Sequence, residues 1–584
     1  MVEEFRTVQA DVLVVGAGGA GAWAALEADR NNVSVVVAEK GLIGKAGCTT
    51  TTGNRAFGHG EIPMSQEYID KQYKRSSNSK AISDRFKRII QCGCYLNDQD
   101  LVWIWVNEAP GLHREMRHWA TRAQDSFTDA LNNEIERHPG IHVMEYAIVT
   151  KLLTQGGKMV GATGLDIVSG EFILFKAKSI VLACGGYGEL YNPAECTPLD
   201  IRTGVTGDGV ALAYNVGCEL VNVEMAQQEI ISSDPKWSSY TRHDYTSFQD
   251  GVRVGMHVIL SDGPFYDKDG KVVISREEFL AMPEGCAPPP GGHNPNLTKR
   301  VAEEMRKGPV YINLTEVVDL SKYVPSITGQ MLHEMDYWDP EIFSKLRVAL
   351  GCLIGQGGPK INEKCETNVA GLYGAGEGCG SGNLYGAYRP GGSFDLIFVF
   401  GKIAGKYVAE YAKTAKQGDI DLKEVEQERS RVNGFLEPKR NSISPIDVKK
   451  KIFKITGEYL SVLKNEKGLK EAIKEIEDLR KNDLPRIQAV DIRRFNLEWM
   501  EAIEVPFMLD VAEMIAWSSL FREESRGVHN REDYPKMDNE NWLCHTLLVK
   551  KNGEMKLSKT PVKMTRFKPP SVEECIKGGE PIPI

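Results

Sequence analysis

Residues 11–21 read DVLVVGAGGAG, and this stretch organises the first part of the chain. Its run of valine and leucine is typical of a buried parallel strand. The glycines that follow open a helix: Gly16 permits a tight turn, Gly18 lets a phosphate approach the backbone, and Gly21 lets the helix pack closely on the strand. Because the first turn of a helix presents free backbone N–H groups, the stretch predicts a loop that binds an anionic phosphate.

A second strand supports this prediction. Residues 33–38 are again apolar, and they end at Glu39, 23 residues after Gly16. An acidic residue at this spacing accepts hydrogen bonds from a ribose in dinucleotide-binding folds. A glycine-rich turn without a ligand would need neither the second strand nor the acid. The pattern therefore predicts an α/β, Rossmann-like domain that binds a dinucleotide.

Later segments resemble the motifs of one flavoprotein family. Residues 179–186 (SIVLACGG) are similar to its strand ending in ATGG, residues 206–209 match its TGDG, and residues 371–377 (GLYGAGE) are similar to GLYAAGE. Residues 524–546, which contain ESRGVHNREDYP and NWLCHT, extend the resemblance to the C-terminal part. The chain resembles the flavoprotein subunits of the succinate dehydrogenase/fumarate reductase superfamily, which also contains L-aspartate oxidase and the flavoprotein of adenylylsulfate reductase.

The resemblance implies FAD as the cofactor. Many relatives carry a Ser-His-Thr sequence whose histidine is covalently bound to FAD, whereas Cys48 stands at that position here, within residues 47–53. Non-covalent FAD is therefore expected, with a cysteinyl–flavin bond as the alternative. The expected cofactor-binding residues are Gly16, Gly18, Gly19, Gly21, Glu39, Lys40, Cys48, Thr49, Thr50, Thr51, Gly53, Ala183, Gly185, Asp208, Glu377, Arg389, Gly392 and Ser393.

The resemblance also implies a substrate site. In the family, hydride passes between the flavin and an activated double bond, an arginine supplies the proton, and two histidines with a second arginine hold a dicarboxylate. Residues 387–394 (AYRPGGSF) resemble the family's ANRLGGNSL, which places Arg389 on the substrate-binding arginine. Arginine suits this role because it binds carboxylates through charge-assisted hydrogen bonds. The alternative for Arg389 is a surface position on a loop.

The other three substrate positions depart from the family. Glu229 replaces the first histidine, Leu353 replaces the second, and an ungapped comparison puts Asn294 on the proton-donating arginine. Each lost charge-assisted contact would cost about 1.5–3 kcal/mol, so neither fumarate nor succinate is expected as the natural substrate. Glu229 could instead bind a cationic or hydroxylated group, or simply form an ion pair.

Three further residues are candidates for proton transfer. His293 lies beside the vacated arginine position and is the candidate acid or base, although a loop histidine can equally be satisfied locally. Arg300 and Lys299 are held in reserve, because a gap in the comparison would move either into the arginine's place. The expected catalytic residues are therefore Arg389, His293, Arg300 and Glu229.

Composition narrows the class of protein. The 584 residues carry a net charge of −9, which argues against a nucleic-acid partner. Twelve scattered cysteines fit a reducing cytoplasm, and the pair Cys92 and Cys94 is expected to be two helix-borne thiols with no metal. Neither an export signal nor a membrane-spanning run is found, so a cytoplasmic location is expected, alone or peripheral to a membrane complex.

The resemblance divides the chain into domains. It implies an FAD-binding domain in two parts (1–245 and 346–415), an α+β capping domain (246–345), a C-terminal helical domain (416–560) and an extended tail (561–584) that lies along a partner or is disordered. It also implies that the electron-transfer partner is an iron–sulfur subunit. Three functions stay open: an oxidoreductase with an altered substrate, a genuine fumarate reductase or succinate dehydrogenase, and a flavin electron-relay subunit without its own substrate.

Overall fold

A computed structural model describes residues 5–51, 74, 77–119, 127–191, 204–232, 264–281, 295–313, 344–389, 393–576 and 579–584. The first part of the chain contains β1 (Arg6–Val15), α1 (Gly19–Arg30), β2 (Val35–Ala38), α2 (Cys48–Thr51), α3 (Ser79–Cys92), α4 (Gln99–Arg117), α5 (Phe127–Glu136), β3 (Ile141–Met144), β4 (Ala147–Gln155), β5 (Lys158–Asp166), β6 (Phe172–Leu182), a 3₁₀ turn (Gly188–Tyr191), α6 (Asp208–Asn215) and β7 (Leu220–Val221).

The middle part contains β8 (Ala226–Ser232), β9 (Phe265–Tyr266), β10 (Val272–Ile274), α7 (Arg276–Ala281), α8 (Pro295–Met305), β11 (Tyr311–Ile312), β12 (Leu346–Gly355), β13 (Gly358–Pro359), β14 (Leu372–Gly374) and α9 (Ser393–Thr414). The last part contains α10 (Leu422–Asn433), α11 (Pro445–Tyr459), β15 (Leu463–Lys464), α12 (Glu466–Asp478), a π turn (Leu479–Asp483), a 3₁₀ turn (Leu484–Arg486), α13 (Leu497–Phe521), β16 (Asn530–Arg531), β17 (Cys544–Lys551), β18 (Glu554–Pro561), β19 (Phe567–Lys568), α14 (Val572–Ile576) and β20 (Ile582–Pro583).

A seven-stranded sheet forms the centre of the fold. Its order is β3-β2-β1-β6-β5-β4, and β14 pairs with β6. The pairs of β1 with β2 and β6, of β2 with β3 and of β6 with β14 are parallel, whereas β4, β5 and β6 form an antiparallel meander. Helices α1 and α9 pack closely, since a Cβ added at Gly401 would lie 2.5 Å from the carbonyl oxygen of Ala20. The predicted Rossmann-like α/β class is confirmed.

Two glycines of the first loop adopt the geometry that the sequence requires. Gly16 has φ +97°, a conformation that side-chain-bearing residues rarely adopt. A Cβ added at Gly21 would lie 1.8 Å from the carbonyl oxygen of Gly16. The turn and the close approach of α1 to β1 therefore both need glycine.

A second sheet of five strands is formed by the middle part of the chain, in the order β10-β9-β11-β12-β8. The domain bounds predicted from the sequence placed β8 and β12 in the FAD-binding domain. The two strands pair with each other, and β12 also pairs with β11, which in turn pairs with β9. The register shifts between Cys352 and Ile354, which leaves a β-bulge at Leu353. The sheet therefore crosses both proposed domain boundaries.

The C-terminal part is helical from α10 to α13, but its end corrects the prediction of helix up to residue 560. Residues 544–561 form the hairpin of β17 and β18, which joins β7 and β13 in a four-stranded sheet. The two-residue loop Asn552-Gly553 has φ of 53° and 82°, as a type I′ turn requires. Asn-Gly is the sequence signal for such a hairpin, and the prediction overlooked it.

The tail lies along the chain's own helices. The Oε1 atom of Gln99, at the start of α4, accepts hydrogen bonds from the backbone N–H groups of Thr565, Arg566 and Phe567 at 3.2, 2.8 and 2.9 Å. The ring of Phe567 lies 5.8 Å from that of Phe86 on α3. The described residues of this segment are therefore ordered on the chain's own helices, and contact of the tail with a partner stays a prediction. Within the described ranges, no helix combines the length and apolar character needed to cross a bilayer.

Candidate active site

Two side chains hold the glycine-rich loop in place. Glu39 accepts hydrogen bonds from the backbone N–H groups of Ala17 and Gly41, at 2.6 and 2.8 Å. The hydroxyl oxygen of Thr49 accepts one from the N–H of Gly19 at 2.9 Å. These bonds join the loop to the end of β2 and to α2, so the sequence-predicted residues Glu39 and Thr49 lie together at the start of α1.

The same loop forms an open cradle. A Cβ added at Gly18 would meet only the hydroxyl of Thr49, at 3.5 Å. Helix α1 begins with no side-chain cap and no acidic residue in its first turn. Among the described residues, the positive end of the helix dipole therefore lies beside glycine backbone with room for a ligand, which suits a pyrophosphate. The residues present fit the FAD that the sequence predicts.

Strands β6 and β14 end beside this loop. A Cβ added at Gly16 would lie 2.4 Å from the carbonyl oxygen of Ala183, and one added at Gly186 would lie 2.3 Å from Oε1 of Glu377. The same oxygen of Glu377 accepts a hydrogen bond from the N–H of Gly355 at 3.1 Å. Because the carboxyl ends of parallel strands meet at one edge of a sheet, these predicted cofactor residues share one cleft.

The structure describes some of the remaining cofactor predictions and not others. Cys48 is half-buried at the start of α2, and Gly185 has φ +77°. Thr50 and Thr51 lie on α2 and Ser393 begins α9, but their side chains are outside the description. Gly53 and Gly392 lie outside the described residues.

A group of buried charges, the Lys40 cluster, lines one side of the cleft. It consists of Lys40, Asp208, Glu504, Lys449 and Glu189. The ammonium of Lys40 lies 2.8 Å from Asp208 and 2.7 Å from Glu504. That of Lys449 lies 2.7 Å from Glu504 and 3.1 Å from Glu189. The cluster therefore ties the cofactor cleft to helices α11 and α13 of the C-terminal part.

The carboxylates control both lysines of this cluster. Burial alone would lower the pKa of Lys40, but the charges of Asp208 and Glu504 raise it above its usual value. The same balance raises the pKa of Lys449, and the two lysines in turn lower the pKa of Glu504. The sequence predicted Lys40 and Asp208. It missed the other three residues, because no local pattern connects Lys40 with a glutamate 464 positions away.

A second polar group, the Gln227 cluster, consists of Gln227, Glu229, Gln356 and Arg389. The side-chain oxygen of Gln227 accepts hydrogen bonds from the backbone N–H of Arg389 at 3.0 Å and from Nε2 of Gln356 at 3.1 Å. Its nitrogen donates to Oε1 of Glu229 at 2.9 Å. The structure therefore brings together two of the predicted catalytic residues, Arg389 and Glu229, through glutamines that the sequence patterns did not single out.

The strand geometry of β8 explains this grouping. Residues two apart on a strand share a face, so Gln227 and Glu229 project to the same side. Gln228 projects to the other side, where its oxygen accepts a hydrogen bond from the hydroxyl of Ser461 at 2.8 Å. The bulge at Leu353 lies on the neighbouring strand, where the sequence placed the lost second histidine.

Tyr388 lies beside the Gln227 cluster. Its side chain is buried among apolar residues that include Met225 and Val528. Burial, and after it the charge of Glu229, raises the pKa of Tyr388 well above its usual value. Tyr388 is therefore a neutral phenol throughout the physiological range.

Two of the proton-transfer candidates have different outcomes. His293 lies outside the described residues, as does Asn294. Arg300 is described on α8, and its guanidinium binds Glu278 at 3.0 Å, Glu304, and the carbonyl oxygen of Val273 at 3.1 Å. These contacts tie Arg300 to residues 273–304, and none of them involves Arg389 or Glu229.

A third group, the Arg522 cluster, joins the segment that leads into β8 to the segment that follows α13. It consists of Glu224, Arg522, Glu524 and Arg526, all with fully buried side chains. Arg522 lies 2.7 Å from both Glu224 and Glu524, and Arg526 lies 2.7 Å from Glu524. This network braces the C-terminal part against the segment that leads into β8, and two of its residues, Glu524 and Arg526, belong to the motif that extends the family resemblance to the C-terminal part.

Three buried basic side chains, those of Lys464, His545 and His529, lie near the Arg522 cluster. Burial lowers the pKa of Lys464 to about 8, with Glu224 opposing and Arg531 adding to the shift. Burial and then the charges of Arg522 and Lys360 lower the pKa of His545 to about 3. Burial also lowers the pKa of His529 well below its usual value. Both histidines are therefore neutral at pH 7.

Comparison with known proteins agrees with this picture. Residues 449–574 match the family described as fumarate reductase flavoprotein C-term, and residues 11–132 and 126–241 match the FAD binding domain family. The fold and the cofactor cleft define an FAD-dependent oxidoreductase. The chain belongs to the succinate dehydrogenase/fumarate reductase flavoprotein superfamily.

Relatives match along nearly their whole length. An uncharacterised FAD-dependent oxidoreductase of Methanocaldococcus jannaschii is 27% identical, over 91% of this chain and 95% of its own. One of the subunits of the CoM/CoB fumarate reductase of Methanothermobacter marburgensis is 26% identical, over 94% of this chain and 98% of its own.

Solved structures share the fold. A chain of Escherichia coli quinol fumarate reductase superposes with a TM-score of 0.77 at 22% identity, covering 98% of this chain and all of the other. Adenylylsulfate reductase of Archaeoglobus fulgidus gives 0.72 at 20% identity, covering 97% of this chain and 98% of the other.

Proposed function

We propose that the chain is the flavoprotein subunit of a fumarate-reductase-like complex that adds hydride to, or removes it from, a carbon–carbon bond next to a carbonyl or carboxyl group. FAD, when bound, supplies the hydride chemistry. One hydride and one proton added to the double bond give the saturated product. An iron–sulfur subunit is the proposed partner for electrons, and the flavoprotein-subunit names of several relatives support this assignment.

The contact between the cofactor cleft and the Gln227 cluster carries this proposal. The N–H of Gly355 donates to Glu377 in the cleft, and the side chain of the next residue, Gln356, donates to Gln227. Gln227 in turn holds the backbone of Arg389. Hydrogen bonds of Gln227 and Gln356 would therefore connect a substrate group bound by Arg389 to the cofactor site.

The protein's own residues would divide the work. Arg389 would hold the activating carbonyl or carboxylate of the substrate and so withdraw electrons from the double bond. His293 is the proposed proton donor. It is preferred over Arg300 because Glu278 and Glu304 already bind that guanidinium.

Non-covalent binding of FAD is part of the proposal. Cys48, at the position of the histidine that is covalently bound in many relatives, is expected to remain a thiol. Acid precipitation of the holoprotein should then leave the flavin in the supernatant. Flavin retained in the pellet, and released by a Cys48→Ser substitution, would instead establish the cysteinyl bond.

Reoxidation of the reduced flavin tests the reaction class. The holoprotein is reduced anaerobically, and the flavin absorbance is followed after adding fumarate, crotonate or a crotonyl thioester. We expect crotonate or the thioester to reoxidise the flavin faster than fumarate does. Loss of the arginine's charge-assisted contact in Arg389→Met should slow this reaction by about tenfold or more. Arg306→Met, which removes an exposed guanidinium paired with Glu532, is the control.

The remaining outcomes separate the alternatives. Rapid reoxidation by fumarate alone would support a genuine fumarate reductase, which the 26% identity to a fumarate reductase chain favours. No reoxidation by any of the three acceptors, with the flavin fully bound, would contradict the proposal and favour a flavin electron-relay subunit.

A further inference from the structure

Two cysteines face each other at the edge of the cofactor cleft. Cys184 follows the end of β6, where the similar family motif has threonine, and Cys379 lies two residues after Glu377. A Cβ added at Gly209, in the first turn of α6, would lie 2.4 Å from Sγ of Cys379 and 3.2 Å from Sγ of Cys184. The two thiols are hydrogen-bonded to each other, so their sulfur atoms are in direct contact.

The backbone around the two cysteines is packed closely enough for a covalent bridge. A Cβ added at Gly378 would lie 2.7 Å from Cα of Gly186 and 2.8 Å from the carbonyl oxygen of Gly185. That carbonyl oxygen also accepts a hydrogen bond from Sγ of Cys379 at 3.7 Å. A disulfide joins Cα atoms that lie about 4.4–6.8 Å apart, and facing segments in direct contact meet this requirement.

The two thiols differ in their access to small molecules. Cys184 is half-buried, and its Sγ donates to the carbonyl oxygen of Val15 at 3.4 Å, whereas Cys379 is fully buried. The hydrogen bond with Cys379, and after it burial, raise the pKa of Cys184 well above its usual value. Cys184 is therefore a neutral thiol at pH 7. Because the thiolate is the reactive form, the pair stays reduced until an oxidant accumulates.

We propose that Cys184 and Cys379 form a reversible disulfide that joins the segments following β6 and β14, with a hydroperoxide as the oxidant. Hydrogen peroxide transfers one oxygen atom to the sulfur of Cys184, which gives the sulfenic acid and one water. The sulfur of Cys379 then attacks the sulfur of Cys184, the S–S bond forms, and the hydroxyl group leaves with the thiol proton as a second water. Two thiols are oxidised and one peroxide is reduced, so no other reactant is needed.

The cofactor provides a local source of this oxidant. The Cα of Cys184 would lie 3.1 Å from a Cβ added at Gly16, in the loop that suits a pyrophosphate. Dioxygen takes electrons from reduced flavins and becomes hydrogen peroxide, which would be released in the cleft that Cys184 lines. The proposal goes beyond the proposed function and is independent of the substrate.

Peptide mapping of the oxidised holoprotein tests the proposal. The holoprotein is treated with excess hydrogen peroxide, free thiols are blocked with N-ethylmaleimide in denaturant, and the digest is compared before and after dithiothreitol. We expect a pair of peptides linked through Cys184 and Cys379, which dithiothreitol separates. Because the cross-link closes a long loop, the oxidised protein should also have a higher urea midpoint than the reduced protein.

Three serine variants assign the roles of the two thiols. Cys184→Ser should lose the linked pair and keep Cys379 as a free thiol, because Cys379 is fully buried. Cys379→Ser should instead drive Cys184 to the sulfinic acid, since no second thiol traps the sulfenic acid. Cys218→Ser is the matched control, because Cys218 is another fully buried thiol, and its Sγ donates to the carbonyl oxygen of Glu219 at 3.6 Å. It should form the linked pair as wild type does.

Three results would each overturn the proposal. The first is recovery of both Cys184 and Cys379 as maleimide-labelled thiols after peroxide treatment of wild type. The second is a linked pair that joins either of them to a different cysteine. The third is a Cys379→Ser holoprotein in which Cys184 stays a thiol. A serine variant that fails to fold does not affect the test, since mapping of wild type alone distinguishes the first two results from the expected one.

Discussion

Lys40 and Lys464 are two buried lysines whose pKa values shift in opposite directions. Lys40 is 17% exposed in its side chain and lies between Asp208 and Glu504, whose charges raise its pKa. Lys464 is 2% exposed, and burial lowers its pKa to about 8 despite the attraction of Glu224. Burial acts in the same direction on both, so the number and proximity of carboxylates decide the outcome.

The two surroundings differ in their balance of charge. The Lys40 cluster contains three carboxylates for two ammonium groups, and each ammonium lies within 3.1 Å of two carboxylates. Glu224, near Lys464, already binds Arg522 at 2.7 Å. A carboxylate engaged by an arginine offers less to a second cation. The charges of the Lys40 cluster therefore stabilise the folded protein. The buried charge of Lys464 instead destabilises it.

The largest effect is expected for Lys40→Met. Removing the ammonium leaves Asp208 and one oxygen of Glu504 buried without their cation, which typically costs about 3–5 kcal/mol of the free energy of unfolding. The lost cluster also unties the cofactor cleft from α13. We therefore expect a lower urea midpoint and partial loss of FAD on gel filtration.

Lys450→Met provides the control for this substitution. Lys450 is 62% exposed and lies 3.6 Å from Asp447, so its loss should change stability by less than about 1 kcal/mol. Equal effects of the two variants would show that the Lys40 cluster is not a stabilising element.

Lys464→Met should have the opposite sign. Because burial holds the pKa of Lys464 at about 8, below the ordinary 10.5, the folded protein carries a disfavoured charge at pH 7. Methionine keeps much of the apolar chain and removes that charge. We expect the free energy of unfolding to rise by about 1–3 kcal/mol at pH 7, measured by urea denaturation.

The pH dependence of the difference identifies its origin. Between about pH 8 and 10.5 the unfolded state binds more protons at Lys464 than the folded state does. Wild type therefore gains stability from this residue as the pH rises through that window, and the advantage of Lys464→Met should shrink towards zero. A variant that is less stable than wild type at pH 7 would show that Glu224 compensates the charge of Lys464.

The sequence predicted those parts of the fold whose signals are local. The strand, glycine loop and second strand ending at Glu39 occupy one short stretch, and each element restricts the next. The hairpin at Asn552-Gly553 also had a local signal, which was overridden by the expectation of a helical domain. The tail could not be placed, because the residues on which it docks, among them Gln99, lie more than 460 positions away.

The residues of the candidate active site were likewise predictable only where the sequence carries a local signal. A motif identified Arg389, and the comparison of motifs identified Glu229. Gln227 and Gln356 were passed over because neutral amides give no signal of chemistry on their own. Only the pairing of β8 with β12 puts them between the cofactor cleft and Arg389. Charged and protonatable residues are therefore visible in the sequence, whereas the neutral groups that orient them are not.

The smallest effect that we predict concerns the lowered pKa of His545, and it appears at acid pH. Burial and the charge of Arg522 hold the pKa of His545 at about 3, whereas the unfolded chain has the ordinary 6.5. The unfolded state therefore binds a proton first as the pH falls below 6.5, and wild type should lose up to about 1–2 kcal/mol from this residue by pH 5.

His545→Gln keeps an acceptor for Asn222, which donates to Nδ1 of His545 at 2.8 Å, but it cannot titrate. Urea denaturation at pH 7.5 and pH 5 should therefore show a smaller loss for the variant than for wild type. An equal loss would mean that burial and the charge of Arg522 do not lower the pKa of His545, and the contrast with the Lys40 cluster would then rest on Lys464 alone.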